Sequence, residues 1–290
     1  MTSQGAAELL KRWRDDLAAW AIPEEIASGA DASPWVLPVA LFARRAEQQL
    51  RAPQGPTYQR ALEALQPRGE VLDVGAGGGA ASLPLARWTS RLLAVDSDQG
   101  MLDDLAARAA RLGVETRTVH GRWPDVAAEV PPADVAVCRD VLYNVPDLAP
   151  FAAALTDHAR RRVVVELTAR HPLARLNPLW RRFHGLERPE RPTAEQALAA
   201  LRALGLAVEA TSWTRVEPSE HHSFEALVEV TRRRLCLPRA RAQEVAEALL
   251  EQGVDPAHPV EAGTTARPVV TAWWPGTAGD PATAPHGPAG

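Results

Sequence analysis

Between residues 70 and 168 the chain alternates short apolar runs with stretches of helical period. Leu92 to Val95, Val135 to Cys138 and Val163 to Leu167 have the length and β-branched content of strands buried on both faces, and the segments between them repeat apolar residues at three- and four-residue steps. The pattern predicts strands near 70–74, 91–96, 115–120, 134–138 and 162–168. It predicts helices over about 79–88, 99–112 and 147–160, with a shorter helical segment after Trp123. Alternation of this kind is the mark of βα units winding a parallel sheet.

The flanks read differently. From Ala6 to about Gln66 the pattern is helical throughout: Leu9, Leu10, Trp13, Leu17 and Trp20 form one apolar stripe, Pro34 and Pro38 interrupt a second segment, and Thr57 to Leu65 makes a short helix before Pro67-Arg68-Gly69 turns the chain. Residues 1–66 are therefore expected to be a helical cap and 67–275 the main domain. After Arg170 the rhythm breaks, and His171 to Pro192, rich in Arg, Pro and aromatic residues, is read as an irregular insertion over a site. Within it Leu176, Leu179, Trp180 and Phe183 have the spacing of the inner face of a short lid helix. Thr193 with Gln196 forms a capping box that starts a helix ended by Gly205. A strand near 207–213 follows, then two helices within 220–253 separated by Leu237-Pro238, and a last strand near 268–274. The Gly, Pro, Ala and Thr tail at 276–290 lacks the apolar surface to order itself.

Composition narrows the function classes. The 290 residues are 46% hydrophobic and 23% charged, an ordinary globular balance that allows one large α/β domain with additions. Nothing approaches a membrane span or a signal-peptide apolar region, so a cytoplasmic protein without membrane partners is expected. Cys138 and Cys236 have no metal-ligand spacing and read as reduced thiols, with no metal site implied. A formal net charge of −4 argues against nucleic acid as a partner and for a small-molecule substrate; oligomeric state is open. Lys11 is the only lysine among 32 basic residues, which with the abundant Ala, Arg and Pro points to a GC-rich bacterial genome.

The densest chemical signal is Val71-Leu72-Asp73-Val74-Gly75-Ala76-Gly77-Gly78-Gly79, an apolar strand that enters glycines and then a helical segment. Glycines allow positive φ and let a ligand lie against bare backbone. A second strand, Leu92-Leu93-Ala94-Val95, ends in Asp96, and a carboxylate at the C-terminal edge of the second parallel strand can accept both hydroxyls of a ribose. Together they describe an adenosine site. Gly75, Gly77 and Ala80 with Asp96 also satisfy a dinucleotide pattern, so an NAD-dependent oxidoreductase is a weaker alternative; Asp73, Gly79 and the helical preface count against it.

The run from Asp73 through Gly79, with Asp96 downstream and Met101-Leu102 in the next helix, resembles the class I S-adenosylmethionine-dependent methyltransferases, of the bacterial small-molecule type. The resemblance implies a Rossmann-like α/β fold, with a seven-stranded, mostly parallel sheet, its last strand antiparallel, helices on both faces and here a helical N-terminal cap. It implies S-adenosyl-L-methionine as cofactor, with Asp73 facing an ammonium or its ordered water, and Gly75, Ala76, Gly77 and Gly79 as the loop beneath it. Asp96, Ser97 and Met101 would border the ribose, and Arg139, at the end of the fourth strand, would be a further cofactor contact. Arg122 and Trp123 occupy the place where the family usually has an acidic adenine contact, which leaves Trp123 as a face or edge contact. A protein of this fold that binds cofactor without chemistry is the other alternative.

Methyl transfer from a sulfonium is an in-line displacement, so alignment in a dry pocket matters most, and a base is needed only for a protonated nucleophile. The resemblance implies that the loop after the fourth strand reaches the methyl group, which makes Asp140, Tyr143 and Asn144 the candidates for substrate or methionine contacts, although a packed aromatic explains Tyr143 as well. No Asn-Pro-Pro-aromatic motif follows that strand, which disfavours the amino-methylating enzymes of DNA and glutamine. Among His171, His184, His221 and His222, His171 is the first choice for a base because it follows the fifth strand. Glu166 either faces the pocket or pairs with an arginine, and Arg160-Arg161-Arg162 is assigned to a helix end.

Overall fold

The computed structural model describes residues 3–34, 39–216, 221–259 and 266–278. Its centre is a seven-stranded sheet of β1 (Gly69–Val74), β2 (Thr89–Asp96), β3 (Glu115–His120), β4 (Ala133–Arg139), β5 (Ala159–Thr168), β6 (Glu209–Val216) and β7 (Ala266–Pro275), in the order β3-β2-β1-β4-β5-β7-β6. β1 pairs in parallel with β2 and β4, and β7 runs antiparallel to both β5 and β6. The winding from β1 goes one way to β3 and the other way from β4, so the order reverses between β1 and β4, where open α/β sheets form their ligand crevice. The expected seven-stranded, mostly parallel, Rossmann-like sheet is thus the observed one.

The helices are α1 (Ser3–Ala18), α2 (Glu24–Ala27), α3 (Val39–Arg51), α4 (Gly55–Ala64), α5 (Gln99–Arg111), α6 (Leu148–Asp157), α7 (Asn177–His184), α8 (Ala194–Ala203), α9 (Phe224–Arg234) and α10 (Ala242–Glu251). Strand alternation sends Leu72, Val74, Leu93, Val95, Ala136 and Val165 to a core under α1, α6 and α8. It sends Val71, Leu92, Ala94, Val135, Val137 and Val164 to a second core under α3, α4 and α5. The N-terminal stripe is spent on the first core: Trp13 is 1% exposed, its indole donates to the Val145 carbonyl at 2.8 Å, and its ring stacks on Tyr143. Truncation of a ring this buried is expected to lower stability by about 3–5 kcal/mol, so Trp13→Ala should unfold at clearly lower urea than the parent.

Three features differ from the sequence expectation. No α-helix forms over 79–88: Gly79 takes φ +84°, Pro84 has no N–H to give to a preceding carbonyl, and only a 3-10 stretch, Leu83–Trp88, is left. Arg160, Arg161 and Arg162 lie inside β5 rather than at a helix end, because the preceding helix stops at Asp157. They are held by acids and carbonyls of neighbouring elements: Arg160 by Glu70, Arg161 by Asp134 and the Ala64 carbonyl, and Arg162 by Glu63. Finally, the segment 171–192 and the helices of 220–253, read separately in sequence, share one apolar cluster. Leu179 and Trp180 of α7 meet Leu227 of α9 and Leu249 of α10, with Ile22 and Ile26 beside them. Both segments leave the sheet at the C-terminal ends of β5 and β6, so this helical unit stands at the edge where the crevice opens.

Of the tail expected to be disordered, residues 279–290 lie outside the described residues; Gly276, Thr277 and Ala278 donate backbone hydrogen bonds to Arg161, Thr156 and Ala159. Pro38 and Glu220 also lie outside the described residues.

Candidate active site at the switch point

The β1–α5 segment folds into a cradle for local reasons. Gly75, Gly77 and Gly79 take φ of +68°, +49° and +84°, conformations that L side chains avoid. At Gly75 space forbids a side chain as well, since a Cβ would lie 2.3 Å from Cγ2 of Val141. The glycine loop therefore touches the loop after β4 directly. A Cβ on Gly78 would lie 2.7 Å from the Phe42 carbonyl oxygen, so α3 rests on the loop backbone. Gly78→Ala is expected to displace α3 and raise the amide exchange of residues 39–51, measured by hydrogen-exchange mass spectrometry; unchanged exchange there would contradict the contact.

Asp96 closes the cradle. Its Oδ2 accepts from the Gly77 N–H at 2.8 Å and its Oδ1 from the Asp98 N–H at 3.0 Å. Asp98 caps α5 by accepting from the Met101 N–H at 3.1 Å. Asp73, at the C-terminal end of β1, is 1% exposed, and its Oδ2 is buried with no hydrogen-bond partner. Burial pushes its carboxyl up to about 7, and the nearby charge of Asp96 adds to this, against the opposing influence of Ser82 first and then Arg139. A buried, half-protonated carboxylate with an open oxygen suits a cationic ligand group.

Behind Asp73 lies a buried ionic network. Glu166 is 2% exposed and faces α4, with its Oε1 3.0 Å from Arg139 Nε and in a short contact with Arg215 Nη1. Thr57 of α4 also donates to Glu166 and shares a 2.6 Å hydrogen bond with Thr271 of β7. Arg215, at the C-terminal end of β6 and 2% exposed, donates through Nη2 to Asp140 Oδ2 at 3.2 Å. Glu166 thus pairs with arginines; Arg215 carried no motif that reveals it in the sequence, because its partners are 49 and 75 positions away. Burial alone would raise the Asp140 carboxyl, but Arg215, Arg139, Arg45 and Arg267 outweigh it and hold it at about 2.

The remaining candidates are placed as follows. Ala76 is buried, Ser97 and Arg122 are exposed, and Met101 is 5% exposed. The Trp123 indole is committed to the core, donating to the Phe151 carbonyl at 3.4 Å and meeting His158 edge-on. Tyr143 donates its hydroxyl to the Thr168 carbonyl at 2.7 Å, and burial together with Asp140 pushes its phenol well up. His171 stacks on Trp20 at 3.8 Å and meets Tyr143 edge-on, its Nδ1 accepting from the Leu173 N–H. Burial first, then Arg188, Arg175 and Arg234, bring its imidazole down to about 3, so it is neutral at neutral pH and a weak proton acceptor. His184 bonds to the Leu235 carbonyl, His221 is buried, and His222 and Asn144 are exposed. Among the described residues no cluster of three or more His, Cys, Asp or Glu has metal-binding geometry, and no helix is long and apolar enough to cross a membrane.

Residues 71–162 match the family model of a methyltransferase domain. An uncharacterized protein of Haemophilus influenzae is 36% identical over 118 residues, 39% of this chain and 43% of that one. A ubiquinone biosynthesis O-methyltransferase of Pseudoalteromonas translucida is 32% identical over 92 residues, 31% of this chain and 39% of the relative. The match thus spans less than half the length of these curated relatives. The crystal structure of a SAM-dependent methyltransferase from Thiobacillus denitrificans in complex with S-adenosyl-L-homocysteine aligns with TM-score 0.47 and 19% identity, over 82% of this chain and 99% of that one. The stretch that matches a methyltransferase domain builds β1 to β4 and the start of β5, and the glycine loop and its two carboxylates lie inside it.

Proposed function

We propose that the protein transfers the methyl group of S-adenosylmethionine to a small molecule, at an oxygen, nitrogen or carbon atom. The observation that carries this reading is the pairing of Asp73, with its buried open oxygen, and Asp96 on adjacent strand ends with the glycine loop between them. These groups fit the cofactor. Asp73 would hold its ammonium, the bare backbone of Gly75 and Gly77 would lie against its amino-acid portion, and Asp96 would take the ribose hydroxyls with its remaining lone pairs. When bound, the cofactor supplies a methyl group on a positively charged sulfur. The chain's own work is then to align the acceptor with that methyl and keep water out. Asp140 is the best-placed side chain to meet the acceptor, since Val141 beside it packs on Gly75. Tyr143 and His171 shape the wall through their stack with Trp13 and Trp20, and proton removal by His171 is not part of the reading.

Incubation with methyl-labelled S-adenosylmethionine and fractionated bacterial extract tests this. Label is expected in the low-molecular-weight fraction; label confined to RNA or protein would contradict the small-molecule reading.

The Asp73 carboxyl sets a pH dependence. Its folded pKa of about 7 lies above an unfolded value near 3.9, so the ionised form is disfavoured in the free protein, and this group's contribution to stability is lost as pH rises from about 4 to about 7. An ammonium favours the ionised form. Affinity for S-adenosylhomocysteine is therefore expected to rise about tenfold between about pH 6 and pH 8 and then level off, with proton release in calorimetry below pH 7. In Asp73→Asn the affinity should be lower and flat with pH over this range.

A further inference from the structure

Two carboxylates at the C-terminal edges of the adjacent strands β1 and β4 each keep one buried oxygen without a hydrogen-bond partner: Asp73 Oδ2 and Asp140 Oδ1. A buried polar atom left open costs stability unless something else fills it, so such an atom marks a place where a partner is expected. The first is assigned to the cofactor above. The second needs its own account, because Asp140 is fixed with unusual effort. Its backbone has φ +58°, one of two positive values among the described non-glycine residues, and its N–H donates to the Glu166 carbonyl at 2.8 Å. Its other carboxylate oxygen, Oδ2, is gripped by Arg215, which is in turn clamped by Glu166. A left-handed aspartate costs of order 1 kcal/mol, and the surrounding bonds over-determine it.

Resting on the methyltransferase reading, we infer that Arg215 and Glu166 are positioning residues that turn Asp140 so that its Oδ1 accepts a hydrogen bond from a hydroxyl or amine N–H on the methyl acceptor. The acceptor class is thus a hydrogen-bond donor, an alcohol, phenol or amine, rather than a bare carbon nucleophile. The acceptor's attacking lone pair is oriented by that bond, and Val141 against Gly75 sets Asp140 beside the cofactor loop. Groups facing Asp140 are Arg139 of its own strand, Arg215 of β6, Arg267 of β7, Arg45 of α3 and Glu166 of β5, with Asp140 acting in turn on Tyr143 and Cys138. The arginines keep the carboxylate ionised across the working range, so its acceptor capacity is independent of pH there.

The test uses the full chain loaded with S-adenosylhomocysteine and donor probes with their methylated counterparts: phenol against anisole, and aniline against N,N-dimethylaniline, by saturation-transfer NMR. Phenol or aniline is expected to bind at least about tenfold more tightly than its blocked counterpart, the worth of one hydrogen bond to a charged acceptor. Asp140→Asn, which keeps the shape but loses the charge, should remove most of that preference while S-adenosylhomocysteine binds within about twofold of the parent. Arg215→Gln should make the preference fall off below about pH 6, as Asp140 takes up a proton more readily, and Arg215→Lys should restore a flat profile. If Arg215→Gln does not fold, the Arg215→Lys and Asp140→Asn results decide. Equal binding of donors and blocked probes by the parent, or an unchanged preference in Asp140→Asn, would overturn the inference while leaving the cofactor assignment intact. Failure to bind S-adenosylhomocysteine would instead strike the reading on which it rests.

Discussion

Asp96→Ala is expected to weaken S-adenosylhomocysteine binding about a hundredfold or more in calorimetry, with little loss of folded structure. Two ribose hydroxyls donating to a carboxylate amount to roughly 3 kcal/mol or more, which is two decades of affinity. The same carboxylate also holds the Gly77 and Asp98 N–H groups, so its removal loosens the glycine loop as well as deleting the proposed ribose contact. Asp96→Asn should fall between the two, because its amide oxygen can replace one acceptor while its NH2 cannot accept. Affinity in Asp96→Ala within threefold of the parent would refute the ribose assignment.

The second large effect is on stability. Glu166 neutralises both Arg139 and Arg215 in a nearly solvent-free layer beneath α4. Glu166→Ala leaves two guanidinium groups there with one carboxylate fewer and leaves the hydroxyl of Thr57 with Thr271 alone. Breaking a buried pair in this way costs about 3–5 kcal/mol, a large share of the 5–15 kcal/mol by which ordinary domains are stable. Urea unfolding should show a midpoint far below the parent, or no folded baseline at all. A shift of less than about 1 kcal/mol would mean the network contributes little.

The parts of the molecule legible in its sequence are those whose signal is local. Val71 to Val74 and Val163 to Leu167 are short, Val-rich runs, each with one acid, of strand length, and they are found as buried strands. The positive φ of Gly75, Gly77 and Gly79 follows from glycine's missing Cβ, and Thr193 with Gln196 forms the capping box its spacing announces. Competing local signals caused the errors. The alanines and leucines of 79–88 read as helix although Pro84 and the left-handed Gly79 forbid it. Arg160 to Arg162 read as a helix end although they lie in β5, where Glu70 of β1 and Glu63 of α4 hold the first and the last. What could not be read at all is long-range. Arg215 meets Glu166 and Asp140 only because β7 returns antiparallel between β5 and β6. His171 looked like a base from its place after β5, but only the fold shows it between Trp20 and Tyr143. The bond of the Trp123 indole N–H to the Phe151 carbonyl, 28 positions away, is likewise visible only in the fold.

The most direct test of the central claim is a calorimetric titration of the purified chain with S-adenosylmethionine, S-adenosylhomocysteine and NAD in parallel. Micromolar binding of the first two with none of the third is the predicted result; binding of NAD alone, or of none of the three, would contradict it.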